Sequence, residues 1–180
     1  MIRLIALALL SFLLPASLAE AAGLKLASAD LAAGEFVPRF IYDQSGCSGG
    51  NHSPALAWSD PPAGTKSFAV TVFDPEAPTG RGWWHWVVYD IPASLRALPQ
   101  DAGAASGANL PQGARQTAND FGGPGYGGPC PPPGSPHRYV FTLYALDAAS
   151  ISTAGGPAEV AAGLEPYALA KASFTISYGR

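Results

Sequence analysis

The segment SFAVTVFDPEAPTGRGWWHWVVYDI, residues 67–91, contains two runs with the two-residue alternation of β-strands. In the first run, Ser67–Asp74, both faces are apolar or nearly so: Phe68, Val70 and Val72 on one side, and Ala69, Thr71 and Phe73 on the other. The second run, residues 86–91, is aromatic and β-branched and stops at Pro92. We therefore predict that these two runs are central, buried strands.

Further strands are predicted by the same alternation at residues 36–42, 138–146 and 173–178. Helical signals are confined to an alanine-rich piece, residues 157–172, which is interrupted at Gly163 and restarts where Pro166 suits a first helical turn. Two short helices are expected there. Many strands with only a late helical pair predict a mainly β, sandwich-like domain.

The composition fits one folded domain and excludes several classes of protein. The chain has 180 residues, of which 48% are hydrophobic, enough to bury a core. Its 21 glycines and 18 prolines favour turns and ordered loops over a helical bundle or a coiled coil. Only 13% of the residues are charged and the net charge is −3, so nucleic acid is not an expected partner. The composition leaves a homodimer open.

The first residues have the features of a secretory signal peptide: a positive charge at Arg3, an apolar run over residues 4–14, and then small residues. Cleavage is expected after Ala19, with Ala21 as the alternative, and an uncleaved anchor is the competing interpretation. The run is shorter than the about 20 residues of a membrane span. We predict a signal peptide at residues 1–19, a ligand-binding domain at 24–180, and a periplasmic or secreted protein without a transmembrane segment once mature.

Two loops collect polar and special-geometry residues at predicted strand ends, where binding sites are usually built. One covers residues 74–80. The other, residues 122–136, is rich in glycine and proline and leads into His137. Its glycines are not a P-loop, because no Gly-Lys-Ser/Thr follows them.

Three polar groups beside these loops, Asp74, His85 and His137, are expected to converge on one site. An aspartate can hold one tautomer of a histidine by accepting its ring N–H, which leaves the other nitrogen for a ligand. Strict alternation places His85 on the strand face opposite Trp84 and Trp86. A structural core histidine is the competing interpretation. A metal site has little support without HExxH or HxH spacing, and no G-x-S-x-G marks a nucleophilic serine.

Seven motifs, in order along nearly the whole mature chain, together resemble one known family. They are CSGGNHSPALAW (47–58), GTKSFAV (64–70), DPEAP (74–78), GWWHW (82–86), GPCPP (128–132), HRY (137–139) and YGR (178–180). The sequence resembles the phosphatidylethanolamine-binding protein family, specifically its bacterial branch, often called Raf-kinase-inhibitor-like. The order and separation of the motifs make the match specific.

The resemblance implies two antiparallel β-sheets in a Greek-key, sandwich-like arrangement with a few short peripheral helices. It also implies a small crevice that binds anions such as the phosphate of a phospholipid head group. Carried over by motif, the ligand-binding residues are Asp74, Pro75, Ala77, Pro78, His85, Gly128, Pro131, Pro132, His137 and Tyr139. The sequence departs from the family at Glu76, where the motif usually repeats Asp, and at Pro129-Cys130.

Two local structures are expected in these motifs. Cys47 and Cys130 flank the same implied crevice in an exported chain, so we predict a Cys47–Cys130 disulfide, with two buried free thiols as the alternative. No CxxC is present, which argues against a redox motif or a cysteine zinc site. The resemblance also places a sharp turn at Ala77–Pro78, which we predict to be a cis peptide.

Two functions from different classes fit these residues. The favoured one is non-enzymatic binding of a small anion or lipid head group, with no catalytic residue, metal or cofactor. The second is a hydrolase or metal-dependent enzyme that uses His85, His137 and Asp74. A secreted inhibitor of a protein partner is neither supported nor excluded. The kinase inhibition of eukaryotic members is not carried over to an exported chain.

Anion binding is expected to depend on local donors, because the net charge is negative: imidazole N–H, the Tyr139 hydroxyl and loop backbone N–H groups. A histidine donates better when protonated, so binding should strengthen as pH falls through about 6.5. Replacing His85 by Ala should weaken binding more than it destabilises the fold.

Overall fold

The computed structural model describes residues 23–180, so the predicted signal peptide and both cleavage sites lie outside the described residues. The strands are β1 (Lys25–Ala27), β2 (Leu56–Ser59), β3 (Ser67–Asp74), β4 (Trp83–Pro92), β5 (Ala97–Leu98), β6 (Arg115–Gln116), β7 (His137–Leu146) and β8 (Ala168–Tyr178). Helix α1 spans Pro157–Leu164, and 3-10 turns lie at Pro38–Phe40 and Glu165–Tyr167. In residues 23–180 no helix combines the length and apolar character needed to cross a membrane.

The strands form two antiparallel sheets. One has five strands in the order β6-β4-β3-β7-β8, and the other has three in the order β1-β2-β5. The predicted fold class, mainly β with two antiparallel sheets, is therefore confirmed. The bounds predicted for β3 are those observed, whereas β4, β7 and β8 extend beyond the strands predicted at residues 86–91, 138–146 and 173–178. The short strands β1, β2, β5 and β6 were not predicted.

Strand β3 is covered on both faces, as its sequence predicts. Phe68 and Val70 point into the main core, where the ring of Phe68 lies 5.3 Å from that of Trp58 in β2. On the opposite face Ala69 belongs to a second apolar cluster that includes Leu164 of α1. Full burial of a large apolar side chain contributes about 1.5–3 kcal/mol, so the two clusters fix β3 in place.

Residues 36–42 do not form a strand, and that prediction was wrong. Pro38–Phe40 form a 3-10 turn in which the N–H of Ile41 donates to the first carbonyl, at 3.3 Å. Proline lacks the N–H that a sheet requires, and its fixed φ suits such a turn. Phe36 and Phe40 still enter the main core. The apolar spacing therefore indicated burial, not strand conformation.

The alanine-rich piece contains one α-helix, and the second predicted helix is reduced to a three-residue 3-10 turn at the predicted restart. Helix α1 ends at Leu164, and the turn Glu165–Tyr167 follows it. Residues 168–172 are the start of β8, where Lys171 lies opposite Tyr144 of β7. Pairing along a neighbouring strand overrides the helical preference of alanine here.

Candidate functional site

A cavity of about 420 Å³ lies at one edge of the five-stranded sheet. Strand β3 runs antiparallel to both β4 and β7, so the end of β3 lies beside the starts of β4 and β7. Asp74, the last residue of β3, is therefore close to His85 near the start of β4 and to His137 at the start of β7. The cavity is lined by Ser45, Asp74, Ala77, Pro78, Thr79, Trp83, His85, Asp120, Phe121, Cys130, Pro131, Pro132, His137 and Tyr139. The three polar groups expected to converge from their strand-end positions therefore share one cavity.

Of the residues carried over by motif, all but two line this cavity. Pro75 is exposed and does not line it. Gly128 does not either: it is buried, and its N–H donates to Oδ1 of Asn51 at 2.8 Å. A Cβ at Gly128 would lie 2.3 Å from the carbonyl oxygen of Phe40, so close backbone packing requires glycine there.

His85 occupies a β-bulge in β4. Two consecutive residues of β3 pair with Trp86 and Trp84, so His85 has no partner on β3. The bulge breaks the alternation: Trp86 joins the main core, whereas Trp84 packs against the second cluster. The prediction that both tryptophans share one face was therefore wrong. His85 instead lies against Tyr139, with ring centroids 5.0 Å apart.

The imidazole of His85 is held in one tautomer. Its Nδ1 lies 2.7 Å from the carbonyl oxygen of Gly127, and because a carbonyl only accepts, Nδ1 carries the proton and Nε2 does not. Phe121 and Tyr139 contact the ring edge-on. Burial lowers the pKa of His85 to about 4, although the Gly127 carbonyl and Asp74 favour the charged form. The expected gain of a proton near pH 6.5 therefore does not apply to His85.

Asp74 organises the loop after β3. Its Oδ1 accepts the N–H groups of Glu76 and Ala77, at 2.8 and 3.1 Å. Its Oδ2 accepts Nδ1–H of His137 at 2.6 Å, and both side chains are nearly buried. The carboxylate thus turns the loop and orients His137, whose other ring nitrogen is left for the cavity.

The Ala77–Pro78 peptide is trans, as is every peptide bond in residues 23–180, so the predicted cis bond was wrong. The side chain of Asp74 makes the reversal instead, because accepting two successive backbone N–H groups closes an Asx-type turn. A sharp turn at this motif therefore does not require a cis bond.

Glu76, the departure from the family motif, ties the same loop to β7. Its carboxylate accepts both the backbone N–H and the side-chain Nε–H of Arg138. That pairing lowers the pKa of Glu76. The longer side chain thus holds the loop against the strand that begins with His137.

Two donors on residues that line the cavity have no partner within residues 23–180, and sequence reasoning missed one of them. The indole Nε1–H of Trp83 and the hydroxyl of Tyr139 are buried and find no hydrogen-bond partner within residues 23–180. Burial raises the pKa of Tyr139, so its hydroxyl keeps its proton. Unpaired buried donors are rare in folded proteins. Trp83 lies in the GWWHW motif, but the direction of its side chain could not be predicted without knowledge of the β-bulge at His85.

Asp120 and Phe121 also reach the cavity without a sequence signal. The carboxylate of Asp120 accepts the backbone N–H of Trp84 at 2.9 Å and lies 3.6 Å from the Arg81 guanidinium. These contacts hold the loop before residue 122 against β4. No cluster of three or more His, Cys, Asp or Glu side chains in the described part of the chain could hold a metal ion.

A family model described as phosphatidylethanolamine-binding protein matches residues 27–179. The chain belongs to the phosphatidylethanolamine-binding protein family. YbhB of Escherichia coli (strain K12) is 48% identical over 158 residues, covering 86% of this chain and 99% of YbhB. YbcL of the same strain is 53% identical over 130 residues, 71% of each chain.

The crystal structure of E. coli YbcL, described as a new member of the mammalian PEBP family, is similar to this chain with a TM-score of 0.85. It is 45% identical in sequence, and the match covers 88% of this chain and 99% of YbcL. A Mycobacterium tuberculosis protein that carries the name lipoprotein LppC is 41% identical over 107 residues, 59% of this chain and 49% of its own. The resemblance seen in the motifs is thus confirmed.

In this phosphatidylethanolamine-binding protein family member the predicted Cys47–Cys130 disulfide is present, with Cα atoms 6.0 Å apart. Cys130 lines the cavity, so the bond braces its wall. Arg180 adds a second tie, donating from Nε to the Pro131 carbonyl at 2.7 Å and from Nη1 to that of Gly46 at 2.8 Å. The disulfide and the lipoprotein name of LppC are consistent with an extracytoplasmic location.

Proposed function

We propose that this phosphatidylethanolamine-binding protein family member is an exported protein that binds small anions of the phosphate type, free or as a lipid head group, without catalysing a reaction. The observation that supports this is the pair of unpartnered donors, Trp83 Nε1–H and Tyr139 O–H, in the cavity wall. An unpaired buried donor costs about 1–3 kcal/mol. Both donor atoms are buried behind the surface of the cavity wall, so a bound oxyanion that reaches them after a small shift of the wall would accept from both and remove that cost.

The charges around the cavity favour local recognition over long-range attraction. The carboxylate of Asp74 is already bonded to two backbone N–H groups and to His137, and that of Asp120 lies near Arg81. The net charge of −3 provides no broad basic field. Affinity should therefore be modest and should depend on the few donors in the wall.

Tyr139→Phe should weaken phosphate binding about five- to tenfold, since it removes one buried donor worth roughly 1 kcal/mol. The ring would still pack against Phe36 and His85, and the lost hydroxyl bonds to nothing in residues 23–180, so stability should not fall. Calorimetric titration with phosphate and urea unfolding measure the two effects. His85→Ala is a poorer test, because it also removes the donor to the Gly127 carbonyl.

Tyr126→Phe is the matched control. Its hydroxyl donates to the carbonyl of Phe40 at 3.0 Å, and Tyr126 does not line the cavity. This variant should lose about 1 kcal/mol of stability and keep the phosphate affinity of the wild type. Equal affinity in wild type and Tyr139→Phe would contradict the assignment of the donor.

A hydrolase is the second candidate, because a histidine oriented by a carboxylate, as His137 is by Asp74, is the usual form of a general base. A panel of esterase and phosphatase substrates tests it. Turnover by the wild type that is lost in His137→Gln would replace binding with catalysis. The hydroxyl of Thr79, a cavity residue, donates to the Gly82 carbonyl at 2.7 Å and is not free to act as a nucleophile.

A further inference from the structure

The nitrogen of His85 that is left for a ligand is an acceptor. Nδ1–H is committed to the carbonyl of Gly127 at 2.7 Å, so the lone pair of the neutral ring lies on Nε2. The side chain is 3% exposed, and within residues 23–180 it makes no hydrogen bond to a carboxylate that would stabilise a second proton. A ligand atom at Nε2 must therefore donate a hydrogen bond.

Two other groups of the cavity wall require a ligand atom that accepts a hydrogen bond. Trp83 Nε1–H only donates, and the hydroxyl of Tyr139 has no acceptor within residues 23–180. The Asp74 carboxylate already accepts three hydrogen bonds. A ligand that pairs with all three groups must accept hydrogen bonds from Trp83 and Tyr139 and donate one to Nε2 of His85.

Oxyanions differ in whether they can both accept hydrogen bonds and donate one. We infer that the cavity selects a monoprotonated phosphomonoester group or hydrogen phosphate, whose P–O–H donates to Nε2 of His85 while other oxygens accept from Trp83 and Tyr139. Sulfates and phosphodiesters carry no such proton near neutral pH. This inference rests on the proposed function and narrows it, because a phosphodiester, the linkage in most phospholipid head groups, would leave Nε2 facing an acceptor. A site built around a hydrogen bond discriminates strongly against analogues that lack it.

The electrostatic effect of the other charged groups must be the same for the ligands that are compared. Those that face His85 or border its cavity are Asp74, His137, Asp120, Arg81, Glu76 and Arg138. Any change in their charge acts alike on ligands of equal charge and size. Ligands that differ only in the acidic proton are therefore the right comparison.

Methyl phosphate and methyl sulfate near pH 5.5 are such a pair, because a phosphomonoester loses its second proton only at about pH 6. Both are monoanions, and only methyl phosphate donates. By calorimetry with the full chain, wild type should bind methyl phosphate at least about tenfold more tightly than methyl sulfate, and dimethyl phosphate should resemble methyl sulfate. In His85→Asn, whose amide can still donate to the Gly127 carbonyl but has nothing at the Nε2 position, the preference should fall to about twofold.

The outcomes separate this inference from the proposed function. Equal binding of methyl phosphate and methyl sulfate by the wild type overturns the inference and leaves anion binding intact, whereas no binding of either overturns the proposed function. If His85→Asn does not fold, the wild type alone decides. Its preference for methyl phosphate should decline near pH 8, where that ligand has lost its proton, and an unchanged preference overturns the inference.

Two sources carry the same group: a soluble phosphomonoester, or phosphatidic acid at a lipid surface. Sedimentation with phosphatidylcholine vesicles, with and without phosphatidic acid, distinguishes them. Binding only when phosphatidic acid is present supports the inference and assigns a lipid source. Methyl phosphate binding without vesicle binding supports it and assigns a soluble source. Equal binding to vesicles of phosphatidylcholine alone, whose phosphates are diesters, overturns it.

Discussion

Replacing both Cys47 and Cys130 by serine is expected to lower the free energy of unfolding by about 4–5 kcal/mol. The disulfide joins residues that are 83 positions apart, and the stabilisation of the chain-entropy model grows with the length of the closed loop. Urea unfolding of the double-serine protein and of reduced wild type should give the same loss. Phosphate affinity should fall as well, because Cys130 lies in the cavity wall.

Arg180→Ala is the control for this prediction. It removes the hydrogen bonds to Gly46 and Pro131, which join the same two loops, but leaves the covalent link intact. Because Arg180 is exposed, its removal should cost no more than about 1 kcal/mol. A loss that small in the double-serine protein would show that the disulfide does little to stabilise the fold.

The sequence predicted the centre of the fold better than its periphery. Strand β3 was predicted to the residue, and each of its two apolar faces is buried by a separate cluster. Residues 36–42 and 168–172 were assigned wrongly, because a proline turn overrides the apolar pattern in the first and a non-local strand partner overrides the helical pattern in the second. Residues 36–42 contain the 3-10 turn that begins at Pro38, and residues 168–172 form hydrogen-bonded pairs with β7.

The site was predictable where it depends on strand ends and unpredictable where it depends on a bulge or on loops. Asp74 and His137 meet because antiparallel strands bring the end of one beside the start of the next. The orientation of His85 follows from its position in a β-bulge, where it has no partner on β3. A rule of strict alternation does not predict such an unpaired residue. The Gly127 carbonyl that fixes its tautomer lies 42 positions away in a loop. Sequence reasoning therefore found the histidine but not its chemistry.

The wild type should lose stability between pH 6.5 and pH 4, and His85→Asn should lose less. Burial lowers the pKa of His85 to about 4 in the folded protein, whereas the unfolded chain titrates near the ordinary value of about 6.5. Between these values the unfolded state binds a proton that the folded state does not. The contribution of neutral His85 is therefore complete above about pH 6.5 and declines as pH falls towards 4, by about 3 kcal/mol in total.

Urea unfolding of both proteins near pH 7 and near pH 4.5 isolates this term. The two proteins share every other titratable group, so the difference between the two losses, about 2–3 kcal/mol, belongs to His85. Equal losses would mean that His85 accepts its proton in the folded state near its ordinary pKa. Nε2 would then be a donor in weak acid, and the cavity would bind methyl sulfate as readily as methyl phosphate. The neutral ring that makes the fold sensitive to acid is the same feature that makes the site selective for a protonated phosphate.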